Sequence, residues 1–346
     1  MSEKERERDE ISSLGEFGLI RHLTREIRLI NPSTKVGIGD DAAVLEYSSA
    51  NIVVTTDLLA EGIHFNLVYT PLKHLGYKAA VVNFSDICAM NARPRQLLVS
   101  LAISRKFTIS MMEEIYSGIR LACAAYGVDL VGGDTTSSMT GLIISCTAIG
   151  EGQEKDLTYR NGAGINDLIC VSGDLGGAYM GLQILERERL LFEKHKVQQP
   201  ALEGYDYVLE RQLKPEARQD IVDLFRKLEI KPTSMIDISD GLSSELMHIS
   251  QASEKGCRIY ADKIPIHSET KRAAGEFEID PIVTALNGGE DYELLFTVPV
   301  ANYDKIGNRS EISIIGHMED APAGIHMVTS GGSVIKIEAE GWNPLS

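Results

Sequence analysis

The chain has 346 residues, 43% hydrophobic and 24% charged, which is ordinary globular composition with room for two domains. Its 50 acidic against 34 basic residues leave a net charge of −16, which argues against a nucleic-acid backbone as the main partner. No apolar run approaches the roughly 18 residues of a membrane span, and the charged start MSEKERERDE lacks a secretory apolar region, so a soluble, cytoplasmic protein is expected.

Residues 1–13 read as a charged tail. Apolar positions at 17, 19, 20, 23, 27, 29 and 30 predict a helix over 16–30, ended by NPST. Strands are predicted at 43–47 and 51–56, a helix over 72–91 and a buried strand at 97–104. A helix over 108–127 starts at Thr108 or Ser110 and closes at Gly127. Strands at 128–131 and 141–150 finish this half, and the polar, glycine-rich 151–167 marks a boundary. The second half restarts with a strand at 168–173, a glycine turn and a helix at 178–196. A helix at 216–229 follows, then a βαβ-like stretch from strand 234–238 through helix 241–255 to strand 257–262. Late strands fit 292–298, 312–318 and 325–328. The alternation predicts an α/β (or α+β) fold. Two domains are expected, 14–155 and 156–346. Cys88, Cys123, Cys146, Cys170 and Cys257 are odd in number and sit in apolar surroundings, so they read as reduced, buried thiols.

The distinctive feature is the placement of acids. GIGDDAA (37–43), TTDLLAEGIHF (55–65), NFSDICAM (83–90), GGDTT (132–136), DISDGL (237–242) and GGEDYELLF (288–296) each set Asp or Glu beside Gly, Ser or Thr near an apolar run. One such acid is usually a turn former or helix cap, and Asp240 before GLSSEL and Asp134 after Gly-Gly suit those roles. Six together suit Mg²⁺, which favours carboxylate and hydroxyl oxygens and commonly bridges them to substrate phosphates. A G-x-x-x-x-G-K-[ST] loop and the protein-kinase motifs are absent from the sequence. Gly173-Asp-Leu-Gly-Gly177 is a weak imitation of a phosphate-binding loop.

The ordered set GIGDDAA, TTDLLAEGIHF, YKAAVVNFSDICAM, GGDTT, LTYRNGA, DISDGL and GGEDYELLF resembles the thiamine-monophosphate kinase family over residues 15–343. That family's wider superfamily includes aminoimidazole ribonucleotide synthetase, selenophosphate synthetase and a hydrogenase maturation protein. LLAEGIHF after Asp57 and GGEDYELLF point to the kinase branch. The resemblance implies an N-terminal domain whose sheet pairs in a homodimer, and a C-terminal α/β domain. It implies ATP-dependent phosphorylation of thiamine monophosphate with several Mg²⁺ ions, the last step of thiamine diphosphate biosynthesis.

Matched motif by motif, the resemblance makes Asp41, Thr55, Thr56, Asp57, Asp86, Asp134, Asp237 and Asp240 metal-site residues. It makes Tyr116, Gly133, Asp134, Arg160 and Ser239 contacts to ATP, and His64, Glu290 and Trp342 contacts to the thiamine end. Other roles stay open. Arg160 suits an ion pair at the boundary, His64 a half-buried structural histidine, and Trp342 either packing or cation–π stacking on a thiazolium. Lys78 and Asn83 suit positioning of the helix that bears Asp86. An acceptor phosphate is already ionised near neutral pH, so direct transfer needs no strong general base. Competing readings are an ATP-dependent synthetase of the same superfamily, a metal-dependent phosphohydrolase and a non-catalytic nucleotide binder.

Overall fold

The computed structural model describes residues 19, 22–36, 44–47, 50–195 and 199–338. The chain divides into two compact units, residues 1–87 with 93–154, and residues 88–92 with 155–346.

In the first unit β1 (Thr34–Val36) pairs antiparallel with β2 (Val44–Leu45). The further elements are β3 (Asn51–Ala60), α1 (Leu72–Ala89), β4 (Arg93–Ile103), α2 (Ile109–Tyr126), β5 (Asp129–Ser137) and β6 (Ile143–Gly152). Among the described residues β3 to β6 form a four-stranded sheet in the order β3-β6-β4-β5. Burial alternates with the period of two that a pleated strand imposes: Leu97, Val99, Leu101, Ile144, Cys146 and Ala148 are buried. α2 buries Met112, Ile115, Tyr116 and Ile119. It begins at Thr108, whose side chain accepts from the Met111 N–H at 3.3 Å, and it closes at left-handed Gly127, as the sequence predicts.

The second unit contains β7 (Leu168–Ser172), α3 (Gly177–His195), α4 (Asp206–Leu213), α5 (Gln219–Leu228), β8 (Ser234–Asp237), α6 (Leu242–Ser253) and β9 (Gly256–Tyr260). It continues through α7 (Ser268–Glu276), α8 (Pro281–Asn287), β10 (Leu294–Val298), β11 (Ile312–Glu319), β12 (Ile325–Val328) and β13 (Val334–Lys336). Among the described residues the strands make a seven-stranded mixed sheet in the order β13-β12-β9-β11-β7-β10-β8. Ile169, Val171, Ile236, Leu246, Ile249, Leu295 and Ile315 build its core.

The fold is α/β, and it corrects several local expectations. Ile27–Ile30 are not helical. The N–H groups of Ile30 and Asn31 donate to the buried Asp129 carboxylate at 2.6 and 3.0 Å, and this tertiary bond outweighs the apolar spacing. β5 runs on through Gly-Gly-Asp-Thr-Thr, so Asp134 lies within a strand rather than a turn. Gly133 permits this, because a Cβ there would collide with the Val99 carbonyl. β8 and β9 flank α6 but are not neighbours in the sheet. α4, α7, α8 and β13 have no counterpart in the sequence reading. All five cysteines are buried and free. Among the described residues no helix is long and apolar enough to cross a membrane.

Candidate active site

Each unit carries its own group of the acids singled out in the sequence. In the first, Thr55 and Asp57 lie two apart on β3, and Asn83 and Asp86 lie three apart on α1. Each spacing keeps its pair on one face. The Thr55 hydroxyl donates to Asp86 Oδ2 at 2.5 Å. The Asp57 N–H donates to Asn83 Oδ1 at 3.0 Å, and Asn83, fully buried, donates back to the Ala79 carbonyl at 3.0 Å. Asn83 thus ties the acid-bearing strand to the acid-bearing helix.

Burial, reinforced by the negative charge of Asp86, pushes the Asp57 carboxyl up to about 6. Among the described residues no cation offsets that rise. Two carboxylates and a hydroxyl are hard oxygen donors, and such a like-charge pair fits a divalent cation such as Mg²⁺. Among the described residues no group of three or more His, Cys, Asp or Glu is gathered to hold a metal; Asp41 lies outside them.

Other candidates in this unit fall elsewhere. Thr56 turns to the opposite face, where its hydroxyl donates to the Cys146 carbonyl at 2.9 Å. Asp134 is on β5, three strand spacings from β3, on the order of 14 Å measured along the sheet. Register pairs Asp134 with Ser100, Ser100 with Ser145 and Ser145 with Leu58, one row away from Asp57. Tyr116 is buried in the α2 core face, and burial pushes its phenol up to about 12. His64 sits in the turn after β3; its Nδ1 accepts from the Ala60 N–H at 3.1 Å, which leaves the ring proton on Nε2 as a donor.

In the second unit Asp237 ends β8, and Ser239 and Asp240 lead into α6. The Glu290 N–H donates to the Ser239 carbonyl at 2.7 Å, and the Tyr292 N–H to the Ile238 carbonyl at 2.8 Å. DISDGL and GGEDYELLF are therefore laced together by their backbones. Gly289 (φ +57°), Glu290 (φ +58°) and Tyr292 (φ +53°) all adopt left-handed conformations. For a non-glycine residue each costs on the order of 1 kcal/mol, and such strain concentrates at functional sites. Asp240 is not the helix cap: Gly241 occupies that position, with no side-chain bond. Instead the Asp240 N–H donates to Glu245 Oε1 at 3.1 Å. Burial, with the charges of Asp240 and Asp237 adding to it, raises the Glu245 carboxyl to about 8. Arg160 is exposed in the loop before β7, where its carbonyl accepts from the Ser253 hydroxyl at 3.3 Å.

The Gly173–Gly177 turn already holds an anion. The N–H groups of Gly176 and Ala178, at the start of α3, donate to the Asp291 carboxylate at 2.7 and 3.3 Å. The resemblance to a phosphate-binding loop ends there. Beneath it, Glu293 accepts from Ser172 at 2.5 Å and from Arg211 at 2.9 Å, and it pairs with Arg218. Burial raises Asp291 to about 6 even against Arg211 and the two amides. Arg211, Gln212, Arg218 and Glu245 were missing from the sequence reading. Glu293 carried a signal, an acid inside the apolar run of GGEDYELLF; the arginines and Gln212 carried none. Asp41 and Trp342 lie outside the described residues.

The family model for the AIR synthase related protein N-terminal domain matches residues 39–151. Thiamine-monophosphate kinase of Aquifex aeolicus is 34% identical over 332 residues, 96% of this chain and 98% of that protein. The chain belongs to the thiamine-monophosphate kinase family. The Bacillus subtilis member is 33% identical, over 95% of this chain and 99% of its own. The solved structure of AaThiL complexed with AMPPCP and TMP has a TM-score of 0.73 at 33% identity, covering 97% of this chain and 98% of that one. Family membership makes the chain a kinase and places the two acid groups in an enzyme.

Proposed function

We propose that this chain transfers the γ-phosphoryl group of ATP to thiamine monophosphate, forming thiamine diphosphate and ADP by direct in-line displacement with several Mg²⁺ ions. An acceptor phosphate oxygen forms a bond to the γ-phosphorus while the bond from that phosphorus to the β–γ bridging oxygen breaks. ADP leaves with the electron pair. The acceptor oxygen is already ionised, so no side chain serves as a strong base. The observation that carries this reading is the Asp57–Asp86 pair with Thr55, a like-charge pair built of hard oxygen donors, in a chain of this family.

Asp41, Thr55, Thr56, Asp57, Asp86, Asp134, Asp237 and Asp240 are the residues assigned to hold the metal. Bound Mg²⁺ supplies neutralisation of the two polyanions that react. The chain's own groups do the rest. Asn83 keeps β3 and α1 in register. Tyr116, Gly133, Arg160 and Ser239 are assigned to ATP, with Arg160 the cation among them. His64, Glu290 and Trp342 are assigned to the acceptor, with Glu290 a negative charge for the cationic thiazolium.

We further propose domains at 14–155 and 156–346, a cytoplasmic location and a homodimer formed through β3. Among the described residues β3 is an edge strand, and its residues Ile52, Val54 and Leu58 are 49%, 60% and 53% exposed on one face, an apolar stripe suited to a second copy. The test of the reaction is incubation with ATP, Mg²⁺ and thiamine monophosphate, with products identified by mass. ATP consumption indifferent to the acceptor would overturn the reading. Light scattering that gives only monomer at assay concentration would overturn the dimer.

A further inference from the structure

α4 lies in a stretch that the sequence left without an element, yet two of its consecutive side chains converge on the Gly289–Glu293 loop. Gln212 Nε2 donates to Glu290 Oε2 at 2.8 Å. Arg211 donates from one guanidinium nitrogen to the carbonyls of Asp174 and Asp291, both at 3.1 Å, and from the other to Glu293 at 2.9 Å. The Asp291 carbonyl held by Arg211 follows directly on Glu290. The same loop is pinned from its other side by Ser239 and Ile238.

The support for Gln212 is itself rigid. Gly181 on α3 leaves room for α4 to lie close: a Cβ at Gly181 would meet Gln212 Cβ at 2.8 Å and collide with the Val208 carbonyl. Gln212 is buried, so its amide has few rotamers to choose from. A hydrogen bond between a fixed, buried amide and an ionisable carboxyl is worth more than its exposed counterpart, and it restricts rotation of the carboxyl plane. The backbone fixes where Glu290 starts, and Gln212 fixes where its carboxylate ends.

We propose that Gln212 is a positioning residue that determines acceptor specificity, holding the Glu290 carboxylate in place for the cationic end of thiamine monophosphate through their hydrogen bond. This rests on the reading of Glu290 as an acceptor contact, and the experiment separates the two. Gln212 acts through Glu290, so its loss weakens the acceptor and spares the nucleotide.

The test is steady-state kinetics of the full chain with ATP, Mg²⁺ and thiamine monophosphate, with melting temperatures alongside. The variants are Gln212→Met, Gln212→Glu, Gln212→Lys, Glu290→Gln and the double variant Gln212→Met/Glu290→Gln. Gln212→Met is expected to raise KM for thiamine monophosphate about 5- to 20-fold, with KM for ATP within about twofold, as loss of one polar contact predicts. Gln212→Glu sets a like charge against Glu290 and raises the acceptor KM further. Gln212→Lys keeps a donor toward Glu290 but its positive charge offsets the Glu290 charge, so the acceptor KM rises by less than in Gln212→Glu. The double variant is no worse than Glu290→Gln alone, because the amide then has no charge to orient. Equal shifts for both substrates, or an unchanged acceptor KM, overturn the inference while an acceptor-specific effect of Glu290→Gln leaves the reading of Glu290 standing. A Glu290→Gln variant that moves both KM values alike overturns the two together. If Gln212→Met fails to fold, the contrast between Gln212→Glu and Gln212→Lys decides: identical acceptor KM values in those two overturn the inference.

Discussion

Half-buried Asp57 in the first unit and fully buried Asp291 in the second both have carboxyls pushed up to about 6, but their surroundings differ in kind. Asp291 receives two backbone N–H groups at the start of α3 and lies 3.7 Å from Arg211. Its neighbour Glu293 takes Arg211, Arg218 and Ser172. For Asp57 burial and Asp86 both act in the same, unfavourable direction. The chain thus supplies counter-ions to Asp291 and Glu293, whereas burial and a second carboxylate act on Asp57. Acids already paired by the chain hold a loop in shape. An acid raised by burial and by a second carboxylate suits a cation that arrives with the substrate. Counting carboxylates does not separate these cases; their partners do.

The comparison breaks most sharply at Asp57. Asp57→Asn keeps the shape and removes the charge, so turnover should fall by on the order of 10³-fold or more if that charge serves the metal-assisted transfer. Its fold should be no less stable than the parent's in the absence of metal, because a repulsion has been relieved. Product formation by mass and thermal melting measure the two halves. Activity within tenfold of the parent, or a clearly lowered melting temperature without metal, would place Asp57 among the structural acids.

Glu293 should behave in the opposite way. Glu293→Ala leaves Arg211 and Arg218 without their shared carboxylate in a site where Glu293 is 2% exposed. Removing one partner of a buried ion pair typically costs about 3–5 kcal/mol. Denaturant unfolding at fixed pH checks it; a loss under about 1 kcal/mol would show that the network is loosely held. Next in size is Gly289→Ala. Its Cβ would sit 2.6 Å from the Ser239 carbonyl at a φ of +57°, so a loss of about 1–3 kcal/mol is expected, with the acceptor KM rising because Glu290 is displaced.

The sequence disclosed the acids through composition: Asp and Glu beside glycine at the ends of apolar runs stand out in any window. It also disclosed the helix from Thr108 to Gly127, because both caps are written locally. α4 was hidden because its signals are weak. It is eight residues long, and Tyr205 at its N-cap makes no side-chain bond. The run on through Gly132-Gly133 was hidden because glycine pairs usually end strands, and only the nearness of Val99 explains them here. Ile27–Ile30 follow a bond to Asp129, about a hundred residues away, that no local window contains. Carboxylate partners are of the same long-range kind: Glu293 and Arg211 are 82 residues apart in the chain.

The gentlest test adds metal without substrate. If Asp57 and Asp86 hold Mg²⁺, the ion should bind the folded chain better than the unfolded one and stabilise it. Mass action sets the size: at ten times the dissociation constant one site contributes about 1.4 kcal/mol, which is a rise of a few degrees in Tm for a protein of this length. Asp57→Asn and Asp86→Asn should each lose most of that rise. Gln212→Met should keep it, because its contact lies with Glu290 rather than with these acids. The same titration with Na⁺ at matched ionic strength controls for screening, which acts on all exposed charges alike. A Mg²⁺ response that survives in both aspartate variants would move the metal to other acids and remove the contrast between Asp57 and Asp291. A response lost in those variants and kept in Gln212→Met ties Mg²⁺ binding to the pair joined through Thr55.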